Sequence, residues 1–383
     1  MNKIEKLIAE LCPNGVNYLP LEDFLTIRNG KDHKHLEDGK IPVYGSGGIM
    51  RHANQAAASG PSVLIPRKGS LGNLFYVEEP FWVVDTIFRT EINEDIALPK
   101  FVFYELQTLG LGEMNQAGGV PSQTQSKLKK LRIPIPPLPI QQEIVNILDK
   151  FQALEAELEA ELEARKKQYE FYRDQLLTFA ERERVRWSTL SDIGTLIRGG
   201  NLQKKDFTES GVGCIHYGQI YTHYGIWTTK TKSFVSQEFA APKRKMHSGD
   251  IFIATTSEND DDLGKSTAWL GNSDIVTSGD GFIFRHNQNP KYISYFINSP
   301  LFHKQINKGI TGTKVRRISA VAIGKVKIPI PPLEEQQRIV NILDKFDALV
   351  NDLTSGLPAE IEARRKQYEY YRDQLLTFKE LSA

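Results

Sequence analysis

Twice along this chain a proline-punctuated apolar run gives way to helical periodicity, in nearly the same letters. Residues 133–154 read IPIPPLPIQQEIVNILDKFQAL and residues 328–349 read IPIPPLEEQQRIVNILDKFDAL. Proline removes backbone donors and biases its predecessor away from helix, so 133–137 and 328–332 predict extended chain. Beyond them Ile140, Ile144, Ile147, Phe151, Leu154 and Leu158 recur at steps of four and three, and Tyr169, Tyr172, Leu176 and Phe179 resume the pattern. That spacing predicts a long helix over about 140–179 with a coiled-coil seam rather than a wide core face. The helix should extend roughly 60 Å at ~1.5 Å per residue. Between Leu154 and Arg165 the letters repeat every four residues as Leu-Glu-Ala-Glu, a stutter that rotates the seam.

The match resumes at ELEARKKQYEFYRDQLLTF (161–179) against EIEARRKQYEYYRDQLLTF (360–378). The second copy places Ile339, Ile342, Phe346, Leu349, Leu353, Ile361, Tyr368, Tyr371 and Leu375 on its seam. Its four extra residues around Ser355-Gly356-Leu357-Pro358 predict a break. Connectivity predicts the direction. The first copy leads from segment 1–132 to segment 180–327 and the second leads back. The two helices should therefore pair antiparallel about a pseudo-twofold axis, in preference to a homodimer, because an intramolecular partner has the higher effective concentration.

The segments 1–132 and 180–327 share almost no identity, yet each reads as mixed α/β with short strands and glycine-rich turns. The strand predicted at Val63 has its counterpart in 249–254, and the polar loop 118–125 has its counterpart in 311–317. Leu21, Asp23 and Gly30 echo Leu190, Asp192 and Gly199, and Tyr44-Gly45 echoes Tyr217-Gly218; their common order predicts one fold for both. The expected architecture is α/β (α+β). Two globular domains, 1–132 and 180–327, are joined by helical regions 133–179 and 328–383.

Charge separates these parts. Segment 180–327 carries 21 basic and 13 acidic residues within a chain of net charge +1, and the helical regions are acidic. A basic domain suits a polyanion; a solvated basic surface is the alternative. No apolar run reaches the ~20 residues that span a bilayer. The amphipathic start, with Glu5 and Glu10, does not read as a signal peptide, and Cys12 and Cys214 have neither metal nor redox spacing. These features point to a cytoplasmic protein without a membrane partner.

Loops that mix Arg and Lys with Asn, Gln, Ser and Thr have the chemistry of groove reading, since Arg and Lys donate to guanine and Asn and Gln bridge adenine. Candidates in the first domain are Lys31, Tyr44, Ser46, Arg67, Lys68, Gln123 and Thr124. In the second they are Asn201, Lys204, Tyr217, Gln219, Lys265, Thr313, Lys314, Arg316 and Arg317. Many should meet phosphate rather than bases. Catalytic signatures are missing. Gly264-Lys265-Ser266-Thr267 lacks the first glycine of a phosphate loop, because Asn259 stands there. Glu258–Asp262 reads as an acidic solvated loop, His33 and His35 lack a metal framework, and no amino-methyltransferase Asn/Asp-Pro-Pro-aromatic motif occurs.

The duplicated Ile-Pro-Ile-Pro-Pro-Leu, Gln-Gln and Ile-Val-Asn-Ile-Leu-Asp-Lys-Phe blocks, the duplicated Lys-Gln-Tyr-Glu-aromatic-Tyr-Arg-Asp-Gln-Leu-Leu, and 64–72 in the first domain resemble specificity subunits of type I restriction–modification systems. The resemblance implies two target-recognition domains, each reading half of a bipartite, asymmetric site in double-stranded DNA. It also implies two methyltransferase subunits docked on this chain, which supply S-adenosylmethionine and adenine-N6 chemistry. Restriction subunits would add ATP-driven translocation and cleavage. The chain itself would bind no cofactor or metal and catalyse nothing. The helical segment would set the gap between half-sites, and the four-residue units from Leu154 to Arg165 within it would alter that gap. The insertion at 355–358 departs from symmetry of the two docking surfaces. A coiled-coil scaffold with two protein-binding heads is the reading from another class.

Overall fold

A computed structural model describes residues 3–114, 120–179, 185–260 and 262–381. Gly118 and Gly119 of the polar loop and Asp261 of the acidic run lie outside them. The chain forms two compact units, Met1–Glu159 with Glu360–Ala383, and Ala160–Ala359. In chain order the helices are α1 (Lys3–Leu11), α2 (Pro99–Thr108), α3 (Gln125–Lys129), α4 (Leu138–Leu177), α5 (Leu190–Ile193), α6 (Tyr217–Thr222), α7 (Gln237–Ala240), α8 (Pro290–Ile297), α9 (Pro300–Ile306), α10 (Ala320–Gly324), α11 (Leu333–Asn351) and α12 (Leu357–Leu375). The long helix expected from periodicity is α4. The break expected at Gly356 and Pro358 separates α11 from α12.

Each unit contains a globular head built to one plan. In the first, an antiparallel sheet runs Leu25–Asn29, Ile87–Ile92, Ser62–Pro66, Phe75–Val77. In the second, the order is Gly194–Arg198, Gly281–His286, Ile251–Ala254, Ser266–Trp269, with Trp227–Thr228 added in parallel. A three-stranded sheet accompanies each. Asp38–Gly45 lies between antiparallel Gly48–Ala53 and parallel Trp82–Val83; Val212–Ile215 lies between antiparallel Ser233–Val235 and parallel Val276–Thr277. The apolar runs Val63-Leu64-Ile65 and Ile251-Phe252-Ile253 are fully buried, as expected of central strands covered on both faces.

The proline-rich segments close the heads. Arg132–Ile135 pairs with Asn17–Pro20, and Lys327–Ile330 pairs with Arg186–Thr189. The helices that follow begin inside the head cores. Ile140, Ile144, Val145 and Leu148 join Leu21, Ile65, Phe101 and Tyr104, while Ile339, Val340 and Leu343 join Ile251, Phe284, Tyr292 and Tyr295. This corrects the narrow seam expected there. Over their first turns α4 and α11 present a wide face that includes Val145, Leu148, Val340 and Leu343, because they pack on a sheet-and-helix core. Farther along, Phe151 stacks on Tyr371 at 5.5 Å in the first unit, and Tyr172 stacks on Phe346 at 5.5 Å in the second. Leu353, expected on the seam, is exposed because α11 has already ended.

Gly30 and Gly199 are equivalent, as their order suggested. A Cβ on Gly30 would stand 1.9 Å from the Val84 carbonyl oxygen, and one on Gly199 2.0 Å from that of Ser278. The echo between Tyr44-Gly45 and Tyr217-Gly218 does not survive. Val84 N–H donates to Tyr44 O as Ser278 N–H donates to Ile215 O. Ile215 therefore occupies the place of Tyr44, and Tyr217 lies two residues farther on, at the start of α6.

Candidate nucleic-acid interface

In the first head the candidates share a connected rim at the strand ends. Lys31 N–H donates to Val83 O (2.8 Å), the Trp82 indole donates to Lys31 O (3.2 Å), and the Lys31 side chain is exposed. Tyr44, half-buried, lies 5.6 Å from the ring of Phe75, and burial raises its phenol pKa. The hairpin ending at Ser46 is tied down by Asn73, whose amide donates to Ser46 O (3.3 Å). Beside it the turn after Ser62–Pro66 is held on both sides. Arg67 and Lys68 N–H groups donate to Thr86 O, and Gly69 N–H donates to Pro121 O (2.9 Å).

Gln123 is only 4% exposed, with its N–H donating to Arg67 O (3.0 Å) and its amide donating to Pro66 O (2.5 Å). Ile318 takes the same place in the second head, where its N–H donates to Thr255 O. An amide in one head and a buried isoleucine in the other mark this as a fastening position. Arg67 lies over Phe88 at 5.4 Å, whereas Lys68 and Thr124 are exposed. Sequence reading missed Ile49 and Met50, which stand exposed just past the hairpin turn at Ser46-Gly47.

In the second head Asn201 and Lys204 are exposed. Tyr217 N–H donates to Ser278 Oγ (2.8 Å), and its ring lies 4.6 Å from His216. Burial, then the charge of Lys204, lowers the His216 pKa and favours its neutral form. Gln219 is committed at both ends: its oxygen accepts from His216 N–H (3.0 Å) and its amide donates to Ser233 Oγ (2.7 Å).

Thr256–Ser257 pairs with Arg316–Arg317, and reciprocal 2.9 Å hydrogen bonds between Thr311 and Arg317 close a tight hairpin. Gly312 has φ 92°, and a Cβ there would lie 2.1 Å from Val315 O. Glycine is required at that turn. Thr313, Lys314 and Val315 form its exposed tip.

The acidic run is exposed at Glu258, Asn259 and Asp260, as expected of a solvated loop, but two of its carboxylates are engaged. Asp260 pairs with Arg316 (2.9 Å), which also donates to Gly312 O (2.7 Å), and Asp262 holds Lys265 (2.5 Å). The hydrogen bond from Lys265, then that from Asn259, depresses the Asp262 pKa. Arg316 and Lys265 thus anchor this loop and hairpin, and with Tyr221, Trp227 and Asp344 they line a groove of about 1410 Å³. Among the described residues no group of three or more His, Cys, Asp or Glu could hold a metal ion. None of the described helices is long and apolar enough to cross a membrane.

The attachment of each head to its helix also escaped sequence reading. Gln141 accepts from Leu98 N–H (2.8 Å) and donates to Pro136 O (2.7 Å); Gln336 accepts from Asn289 N–H (3.0 Å) and donates to Pro331 O (2.8 Å). Both are fully buried. The signal was present in Pro99-Lys100-Phe101 and Tyr104 against Pro290-Lys291-Tyr292 and Tyr295, spaced alike before each repeat.

Comparisons with known proteins agree with this architecture. A family model described as the type I restriction modification DNA specificity domain matches residues 13–164 and 183–363. The EcoR124I/EcoR124II specificity subunit of Escherichia coli is 38% identical over 298 residues, covering 76% of this chain and 73% of that protein. A Haemophilus influenzae protein provisionally described as a type I restriction enzyme specificity subunit is 31% identical, over 98% of both chains. The crystal structure of a type I S subunit from M. genitalium aligns with TM-score 0.58 at 15% identity, covering 94% of this chain and 96% of that one. A chain from a structural study of type I complex assembly aligns with TM-score 0.59 at 17% identity, covering 95% and 98%.

Proposed function

The chain belongs to the type I restriction modification DNA-specificity family, and from that premise we propose that it reads a bipartite, asymmetric DNA site, one half-site per head. Specificity subunits are the non-catalytic DNA-recognition members of these systems, so the chemistry belongs to partners. The observation that carries the reading is one head fold used twice with unlike rims. Ser46, Lys68 and Thr124 stand on the first, and Asn201, Lys204 and the tip Thr313-Lys314-Val315 stand on the second. Exposed and half-exposed polar and basic side chains held on ordered turns and loops suit groove and phosphate contacts.

Two methyltransferase subunits, carrying S-adenosylmethionine, dock on the duplicated helices, and restriction subunits carrying ATP join them. Phe171 and Tyr370, equivalent in the two repeats, are 57% and 61% exposed, each edge-on to the next tyrosine. A duplicated exposed aromatic pair suits two copies of one partner surface. The helices run antiparallel as a coiled coil. In the first unit Phe151 faces Tyr371 and Glu155 binds Arg365 (2.7 Å), so rising numbers on one side meet falling numbers on the other. The cytoplasm, where host DNA lies, is the compartment this role requires. The test is to map methylated adenines in DNA from a host carrying this chain and its partner subunits, before and after residues 180–327 are exchanged for another head.

A further inference from the structure

Two side-chain clusters recur in the two heads with the same atoms. In the first, Lys100 Nζ lies 2.8 Å from Asp149 Oδ2, and the Tyr104 hydroxyl donates to Asp149 Oδ1 at 2.5 Å. In the second, Lys291 Nζ lies 2.6 Å from Asp344 Oδ2, and the Tyr295 hydroxyl donates to Asp344 Oδ1 at 2.8 Å. The lysines add ring contacts, Lys100 at 5.5 Å from the Tyr76 centroid and Lys291 at 3.7 Å from that of Trp227. The lysine and tyrosine come from the head helices α2 and α8; the aspartate comes from the long helices α4 and α11.

Stability does not explain this duplication. The paired side chains keep 30% and 37% of their exposure in the first cluster and 20% and 28% in the second. Pairs that keep contact with solvent stabilise a fold far less than the buried side chains around them. Fully buried Ile140, Ile144 and Leu148 already hold the first head to its helix. The directional contacts of Gln141 and Gln336 pin each long helix only at its first turn, and apolar packing, being non-directional, permits the rest to slide or roll. A carboxylate gripped at both oxygens by a cation and a phenol does not, because small rotations break one bond or the other.

We propose that Asp149 and Asp344, each with its Lys and Tyr, are positioning residues that fix the angle of a head on its helix, and so fix the DNA gap that the assembled complex accepts. This rests on the bipartite reading above. The heads have otherwise lost nearly all identity, yet Pro-Lys-aromatic and the tyrosine keep their spacing, and both pairs reach the repeated aspartate although it lies 49 residues beyond Lys100 and 53 beyond Lys291. A head of any specificity could be carried on the same fitting.

The experiment uses the full chain assembled with its methyltransferase subunits, and DNAs that hold both half-sites while the gap varies by single base pairs. The wild-type complex should prefer one gap. Asp149→Asn and Asp344→Asn should retain assembly and half-site sequence. Their preference for that gap over its neighbours should fall by about ten- to a hundred-fold, since an ångström of misplacement can cost a factor of about 100. Tyr104→Phe and Tyr295→Phe, which delete one oxygen and leave packing intact, should move the preference in the same direction. Both tyrosine variants assembling with wild-type gap preference would overturn the proposal. A wild-type complex that methylates a bipartite site with no gap preference would overturn it too. A wild-type complex that methylates no bipartite site would remove the reading beneath it.

Discussion

Residue-scale chemistry divides the candidates into those that face solvent and those that hold the fold. Lys314 stands on the tip of the 311–317 hairpin, while Arg316 is held by Asp260 and Gly312 O. Lys314→Ala should therefore lower DNA affinity of the assembled complex evenly across sequences and reduce the salt slope by about one. Arg316→Ala should loosen the hairpin and weaken discrimination within one half-site. Titration against salt checks both, and an unchanged slope for Lys314→Ala would remove the tip from the interface. Such roles were not legible in sequence, where Arg316 and Lys314 look alike and Gln123 looks like a reader. Asp260, which claims Arg316, and the Pro66 carbonyl, which claims Gln123, lie on other loops.

Glu105 is a second case. It is 2% exposed with an oxygen that finds no partner, and burial raises its pKa to about 9. Phe296 fills the equivalent place in the second head. Below the ordinary value of 4.5 the carboxyl is protonated in both folded and unfolded chains, so its ionisation costs nothing. Between there and about 9 only the unfolded chain releases the proton, and stability falls as pH rises. Glu105→Met should remove that slope and stabilise the first head on the order of a few kcal/mol at pH 8. Melting curves from pH 5 to 9 check this; parallel pH dependence in variant and wild type would contradict it.

Element by element, legibility followed how local the determining signal was. Helix α4, the break before α12 and the extended proline segments were readable because periodicity, glycine and proline act within a few residues. The wide inner face of α4 and α11 was not, since Val145 and Val340 count as core only once a head packs on them. The four-residue units carry a prediction of their own. Deleting 155–158 moves Glu159 into the place of Glu155, opposite Arg365, and Leu162 into that of buried Leu158. The helix loses ~6 Å of rise and turns ~40° beyond a full rotation. Both half-sites should persist with the gap shortened by about one or two base pairs, at ~3.4 Å per step. Methylation sequencing reads this directly, and full activity with an unchanged gap would mean that this helix does not set the spacing.

For the whole molecule, two heads of one topology with little sequence in common are the feature from which the rest follows. Sequence reading found both segments and their common order through Gly30 and Gly199, where a close carbonyl forbids a side chain. It misplaced Tyr217, because short strands joined by long excursions leave no local register to count. If each head reads alone, exchanging one alters half of the specificity and leaves assembly untouched. The direct measurement is therefore a methylome from cells expressing the partner subunits with either the native chain or one whose residues 180–327 come from another family member. The expected result is a bipartite motif in both, with one half-site replaced, and the other half-site unchanged. A motif altered in both halves, or methylation that ignores the exchange, would contradict the assignment of one half-site to each head.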